Sequence, residues 1–440
     1  MAWRQVILML TVVLLTAGPG WAQSGGDAGA DRQTVQMLLE RIDRLEARVA
    51  QLEAGKQTNA PGSAPATAEK PAVATEPVQH GASLQTETVN EQQAGTNSEM
   101  ERLDVSKTLL RIRGFGDINF HGDNQKGDTT SFTLGELNLF VTSDVSDKFK
   151  FLSEIVFEAG PSYTYGVSQG GNNVFSVDVE RLVLQYSRND YFNLAAGRYH
   201  TAIGYYNTAY HHSTWFQTTT GRPFLFEFED QGGILPIHTV GVTASGLIPS
   251  GSLGLHYVAE VGNGRASRSP YTEEAVQNVI DDSNHKAFNL ALFARPEAVR
   301  GLQTGFSIYR DVLSPNGEPR VGETIMAAHA VYILPKFEWL NEAMVIRHAP
   351  IGLLHTYDTP GFYTQISKAF GAYRPYFRYQ YVNSSSHEPI FPDVGRRQGP
   401  SVGIRYDASE FVALKLQYDY TSIRNQQAVS ALALQLGFTF

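Results

Sequence analysis

The chain ends on residues 430–440, S-A-L-A-L-Q-L-G-F-T-F, and few endings restrict the choice of fold so much. Leu432, Leu434, Leu436, Phe438 and Phe440 fall on one face of an extended strand, with Ala431, Ala433, Gln435, Gly437 and Thr439 on the other. In a soluble sheet, such a last strand is an unprotected edge with one greasy face. A closed barrel in a membrane removes both problems, because the strand pairs with the first strand and its apolar face meets lipid. The competing reading is an ordinary edge strand of a soluble sandwich.

The rest of the chain repeats the pattern. Alternation recurs in sixteen segments: 109–121, 131–143, 148–159, 175–187, 191–200, 237–247, 252–262, 286–295, 301–311, 323–334, 337–347, 361–370, 373–383, 400–408, 411–422 and 430–440. Connections after even-numbered segments are short, as at 143–147, 187–190, 248–251, 370–373 and 407–410; those after odd-numbered segments are mostly longer. Tight turns at one rim, long loops at the other and an even strand count describe a transmembrane barrel with both termini on the turn side. Face assignments agree. Arg374, Tyr376, Arg378 and Gln380 oppose Tyr373, Pro375, Phe377, Tyr379 and Tyr381, while Lys415, Gln417 and Asp419 oppose Val412, Leu414, Leu416, Tyr418 and Tyr420. Aromatics collect beside the short turns, as Tyr186 with Phe192, Phe337 with Trp339, Phe370 with Tyr373 and Tyr406 with Phe411, in the manner of an interfacial girdle. Only 18% of residues are charged, and 21 Tyr, 24 Phe and 40 Gly supply belts and turns. A mean hydropathy of -0.23 argues against a bundle of membrane helices but not against a barrel, half of whose strand residues face water. The expectation is an all-β, 16-stranded antiparallel transmembrane β-barrel over 105–440, preceded by a short α-helical coiled coil.

Upstream, residues 1–22 read as a signal peptide: Arg4, an apolar run over 6–15 too short to span a bilayer, then Gly20, Trp21 and Ala22 at the cleavage site. Residues 31–54 carry heptads, with Val35, Ile42 and Val49 at a and Leu38, Leu45 and Leu52 at d. Arg41 and Arg48 at g face Glu46 and Glu53 at e when chains run parallel and in register. β-branched a with Leu at d favours two strands, whereas Leu39 widens the apolar face toward more. A solitary helix of about 20 residues would be marginal in water. Residues 55–104, rich in Ala, Pro, Thr, Gln, Glu and Ser, read as a disordered linker whose ends lie roughly 40 Å apart on average. The absence of cysteine excludes a disulfide framework and a thiolate metal site, and the net charge of -9 gives no ground for a nucleic-acid partner. No cofactor or metal is expected.

Strand count, loop rhythm, the terminal Phe440 and the place of the longest connection together resemble the sixteen-stranded trimeric porins of bacterial outer membranes. The stretch V-E-R-L-V-L-Q-Y at 179–186 with F-N-L-A-A-G-R at 192–198 is similar to a hairpin of the phosphate-selective porins and their relatives. R-I-D-R-L-E at 41–46 and R-V-A-Q-L-E at 48–53 resemble the Arg-h-x-x-h-Glu pattern, h being apolar, of short trimeric coiled coils, which points to a parallel trimer. The resemblance implies a Gram-negative outer-membrane channel for passive diffusion of small hydrophilic solutes or ions. Its coiled coil would lie in the periplasm, and its third loop would fold into the lumen.

That third loop is 201–236, longer than structureless connections usually run without a function. Its candidate constriction residues are Tyr210, His211, His212, Trp215, Arg222, Glu227, Glu229 and Asp230. Candidate pore-lining cations are Arg111, Arg113, Arg181, Arg374, Arg378, Arg405 and Lys415, which would bias the channel toward anions. The loop has no lysine cluster, a departure from the phosphate-selective pattern. Alternatively, these cations pair with Glu136, Glu154 or Asp419 and stiffen the wall. His200, His211, His212 and His238 bracket the loop near Glu227, Glu229 and Asp230, but their spacing fits no zinc signature. Loop-anchoring or pore-lining histidines account for them better than an enzyme does. Two other functions are compatible with the chain: a tether from outer membrane to peptidoglycan through the coiled coil, and an outer-membrane hydrolase.

Overall fold

The computed structural model describes residues 110–126, 130–159, 163–164, 167–168, 175–210, 215–228, 233–265, 284–315 and 319–440. The signal peptide, coiled coil and linker expected over 1–22, 31–54 and 55–104 lie outside the described residues. Within them, sixteen strands form one closed antiparallel barrel. In chain order they are β1 (Leu110–Asp123), β2 (Ser131–Asp144), β3 (Phe149–Ala159), β6 (Phe175–Asn189), β7 (Phe192–His200), β8 (His238–Ile248), β9 (Leu255–Asn263) and β10 (Lys286–Ala294). They continue as β11 (Leu302–Leu313), β12 (Val321–Leu334), β13 (Phe337–Pro350), β14 (Tyr357–Lys368), β15 (Tyr373–Asn383), β16 (Arg396–Asp407), β17 (Val412–Ile423) and β18 (Val429–Thr439). A two-stranded ribbon, β4 (Tyr163–Thr164) with β5 (Val167–Ser168), lies in the connection from β3 to β6.

Each of the sixteen alternating segments is therefore a barrel strand. The largest boundary differences are at β14 and β16, which begin four residues earlier than the alternation suggested, at Tyr357 and Arg396. Each early start places a proline, Pro360 or Pro400, inside the ladder, although proline usually marks a strand's beginning.

Closure is made by the terminal strand. β18 pairs with β1 from Ala431↔Asp123 to Thr439↔Phe115, and Phe440 and Gly114 exchange two backbone hydrogen bonds of 3.0 Å. Glycine at 114 and 116 leaves room for two rings: a Cβ at Gly114 would lie 2.2 Å from the Phe440 ring, and one at Gly116 2.7 Å from Phe438, so a side chain there would have to displace them. The outward face is apolar, with Leu182, Leu184, Leu290, Phe306, Leu414, Leu416, Leu432 and Leu434 all exposed. Aromatic pairs ring the short-turn rim: Phe149 with Tyr186, Tyr332 with Phe337, Tyr373 with Tyr406 and Phe438 with Phe440.

The apolar core is inside the barrel. Inward residues of β12–β14, among them Ile325, Val331, Leu340, Met344, Ile346 and Tyr363, are buried against Ile203, Tyr206, Leu225, Phe226, Phe228, Ile234, Leu235 and Ile237 of the connection between β7 and β8. A bare water-filled lumen would not bury such side chains, so this connection is a structural part of the interior.

Candidate functional site

The base of the 201–237 connection is closed by main-chain and amide bonds. Thr201 N–H donates to Ile237 O at 2.9 Å, and the Asn207 amide donates to Thr201 O and Ile237 O at 2.8 and 2.9 Å. Ala202 N–H points between the carboxylate oxygens of Glu260 on β9, at 3.2 and 3.1 Å. The chain then turns at Gly204, φ +70°, where a Cβ would sit 2.2 Å from a Glu342 oxygen. Only glycine serves both the left-handed backbone and that approach.

Glu342 on β13 is the first clamp. It accepts Tyr205 N–H at 2.6 Å, Tyr206 N–H at 2.9 Å and the Tyr363 hydroxyl at 2.6 Å. The first two are orphan donors at the start of the single helical turn Tyr206–Ala209. Burial pushes the Tyr205 and Tyr206 phenols up to about 12, for Tyr206 against the opposing pull of Arg222 and Arg378. They stay protonated, and the Tyr206 hydroxyl donates to Gln217 at 2.7 Å. Glu338 accepts from the Tyr210 and Thr218 hydroxyls, at 3.0 and 3.3 Å, and from Gln365 at 2.8 Å.

The second half of the loop lies along β15–β18, where six inward polar side chains meet its backbone. Arg405 donates to the carbonyls of Trp215 and Gln217, Lys415 to Thr219 O at 3.0 Å, and Arg378 to Gly221 O at 2.8 Å. Gln417 accepts Thr220 N–H, Gln435 donates to Thr220 O, and Gln380 accepts Phe224 N–H. Bonds with one charged partner contribute about 1.5–3 kcal/mol each, neutral ones about 1. Arg222 stacks on the rings of Phe228 and Tyr206, at 4.0 and 5.3 Å, and donates to Phe226 O. The loop also reaches β1, where Phe115 packs on Trp215 and Phe216 with centroids 6.4 and 5.1 Å apart. It therefore crosses from β7 to β13, on to β16 and β1, and back along β17 and β15 to β8. Among the described residues, no group of three or more His, Cys, Asp and Glu is arranged to hold a metal ion.

No family model and no curated protein sequence matches the chain. Solved structures do match. OmpF of Salmonella typhi, in complex with daunomycin, superposes with a TM-score of 0.54 at 10% identity, covering 75% of this chain and 97% of that one. The outer membrane channel DcaP of Acinetobacter baumannii gives 0.50 at 12% identity, covering 76% and 98%. The fold is that of a sixteen-stranded outer-membrane porin.

Within this porin fold, the residues singled out from sequence fall into three groups. Arg378, Lys415 and Arg405 are 2%, 2% and 8% exposed, turned into the loop rather than toward water. Arg181 is bonded to Glu154 and lies over Phe140, Arg111 pairs with Asp144 at 3.4 Å, and Arg374 donates to Ser367 and Pro335 O. Arg113 is exposed. In the loop, Tyr210 bonds Glu338 on β13, Trp215 lies against Phe115 on β1, Arg222 lies over Phe228 and Tyr206, and Glu227 is 3.8 Å from Arg397 on β16, so the four are spread along the interior wall. His211, His212, Glu229 and Asp230 lie outside the described residues. At the loop's base, His238 meets Glu180 at 2.6 Å and His200 lies 3.8 Å from Glu154. Sequence reasoning missed the acceptors Glu260, Glu338 and Glu342. Their signal is present in β13, whose inward face reads Glu338, Leu340, Glu342, Met344, Ile346. That mixture is too apolar for a wetted wall, and its two acids need donors from another segment.

Proposed function

We propose that the chain is an outer-membrane porin, a water-filled channel for passive diffusion of small hydrophilic solutes, narrowed by loop 201–236. The observation that carries this reading is the loop bonded across the interior of a sixteen-stranded barrel, a strand number that leaves an aqueous lumen. The apolar outer wall with its aromatic rim supports residence in lipid, the short turns facing the periplasm. Heptads 31–54 support a homotrimer. Of the candidate cations, Arg111 and Arg181 are paired with Asp144 and Glu154, and Arg113, Arg374, Arg378, Arg405 and Lys415 support an anion bias. Three of these spend their hydrogen bonds on loop carbonyls, so they act through the field they set up rather than by contact. Purified protein in planar bilayers tests the proposal. Discrete conductance steps, with a reversal potential of anionic sign in a salt gradient, are expected; a folded barrel that gives no steps would refute it.

A further inference from the structure

A second segment also folds into the barrel. The connection 384–395, between β15 and β16 at the long-loop rim, buries Ile390, Phe391 and Val394 at 1%, 0% and 3% exposure, in the same core cluster as Ile234, Leu235 and Ile237 of loop 201–237. Within it, Ser384 Oγ donates to Phe391 O at 3.0 Å, and one Glu388 oxygen accepts the N–H groups of Ile390 and Phe391. The other Glu388 oxygen faces Nδ1 of His348 on β13. Nε2 of the same ring lies 2.8 Å from Glu323 on β12. All three side chains are fully buried.

Both ring nitrogens face carboxyl oxygens, and with both acids ionised each only accepts, so both nitrogens then carry hydrogen. The surrounding charges favour this. Arg265, beyond β9, bonds Glu323 with its guanidinium, donates to Ile234 O at 2.9 Å and lies 5.0 Å from the Phe391 ring centre. On β11, Asp311 accepts Arg265 N–H at 3.1 Å and the Tyr309 hydroxyl at 3.2 Å. Facing the ring from β12 and the 384–395 segment are thus two carboxylates, Glu323 and Glu388; behind Glu323 lies the Arg265 cation, whose backbone N–H is held by Asp311 of β11. A neutral imidazole would present a lone pair to a buried carboxylate and leave the negative charge less compensated.

We propose that His348 is a positioning residue for permeation: its imidazolium seats segment 384–395 in the loop-rim mouth, and loss of that proton to water unseats the segment and widens the mouth. The widening rests on the channel reading; the seat does not. Because the chain has no cysteine, Val394→Cys supplies a single buried reporter. In folded, heat-modifiable protein, labelling of this cysteine by a charged maleimide, corrected for thiolate fraction, should be about tenfold faster at pH 9 than at pH 6. With His348→Asn added it should be fast at both pH values, and with Glu388→Gln the midpoint should move to lower pH. Conductance of the cysteine-free protein should rise over the same pH interval. Equal corrected rates at the two pH values in the His348 protein, or a pH step surviving His348→Asn, would overturn the proposal. A labelling step in a barrel that never conducts would uphold the seat and count against the channel reading instead.

Discussion

Glu342 illustrates how one side chain can fix a long connection. It gathers two orphan backbone donors and a buried phenol at the point where the chain leaves the wall. Replacing it with Gln keeps one acceptor but turns an NH2 group toward a donor, which should cost about 1–3 kcal/mol of local stability. The expected result is faster hydrogen exchange or proteolysis in 201–236 with barrel yield unchanged; protection equal to the parent would show that the clamp is redundant. Gly204 is a stricter case, because Gly204→Val would meet both the Glu342 carboxylate and an unfavourable left-handed backbone. That variant should lose protection in the loop more completely than Glu342→Gln.

At the scale of the element, the loop's carbonyls and the cations beneath it satisfy one another's hydrogen bonds. Deleting the loop from about Tyr210 to Thr220 removes the carbonyls of Trp215, Gln217 and Thr219, which Arg405 and Lys415 now hold. Conductance should rise, by about twofold or more if this is the narrowest section, and the reversal potential should move further toward anions as the two cations meet water. Replacing Arg374, Arg378 and Arg405 together with Gln should move it toward cations, more so at low salt. Unchanged conductance after the deletion would place the constriction elsewhere. For the heptads, a peptide of residues 31–54 should sediment as three chains, and Ile42→Asp should leave it monomeric and unfolded; a dimer would show that the a and d residues prevail over the Arg and Glu pattern.

For the whole molecule, closure depends on one seam. Phe440 completes the ladder with Gly114, and its ring lies over that glycine, 2.2 Å from where a Cβ would sit. Phe440→Asp puts a charge where a ring covers the wall, and Gly114→Leu evicts that ring. Both should lower the heat-modifiable fraction recovered in outer membranes, and parental recovery of both would mean that closure does not need this contact.

Strand number and facing were legible because they rest on a local property: side chains alternate every residue, so a nine- to fifteen-residue strand contains the whole signal. Arg374, Arg378 and Lys415 were placed on the inward face by parity alone, and they are there. Their use was not legible. Whether an inward arginine meets water or a carbonyl depends on what covers it, and the cover comes from far along the chain: Gly221 lies 157 residues from Arg378, and Thr219 lies 196 from Lys415. Hydrogen-bond partners at that separation leave no periodicity to read. The mixed inward face of β13 was a sign that something packs on it, but only the tertiary structure identified the two segments that do, 201–237 and 384–395. Alternation therefore determined the barrel, while long-range burial decided which of its charges are held by backbone and which remain open to solvent.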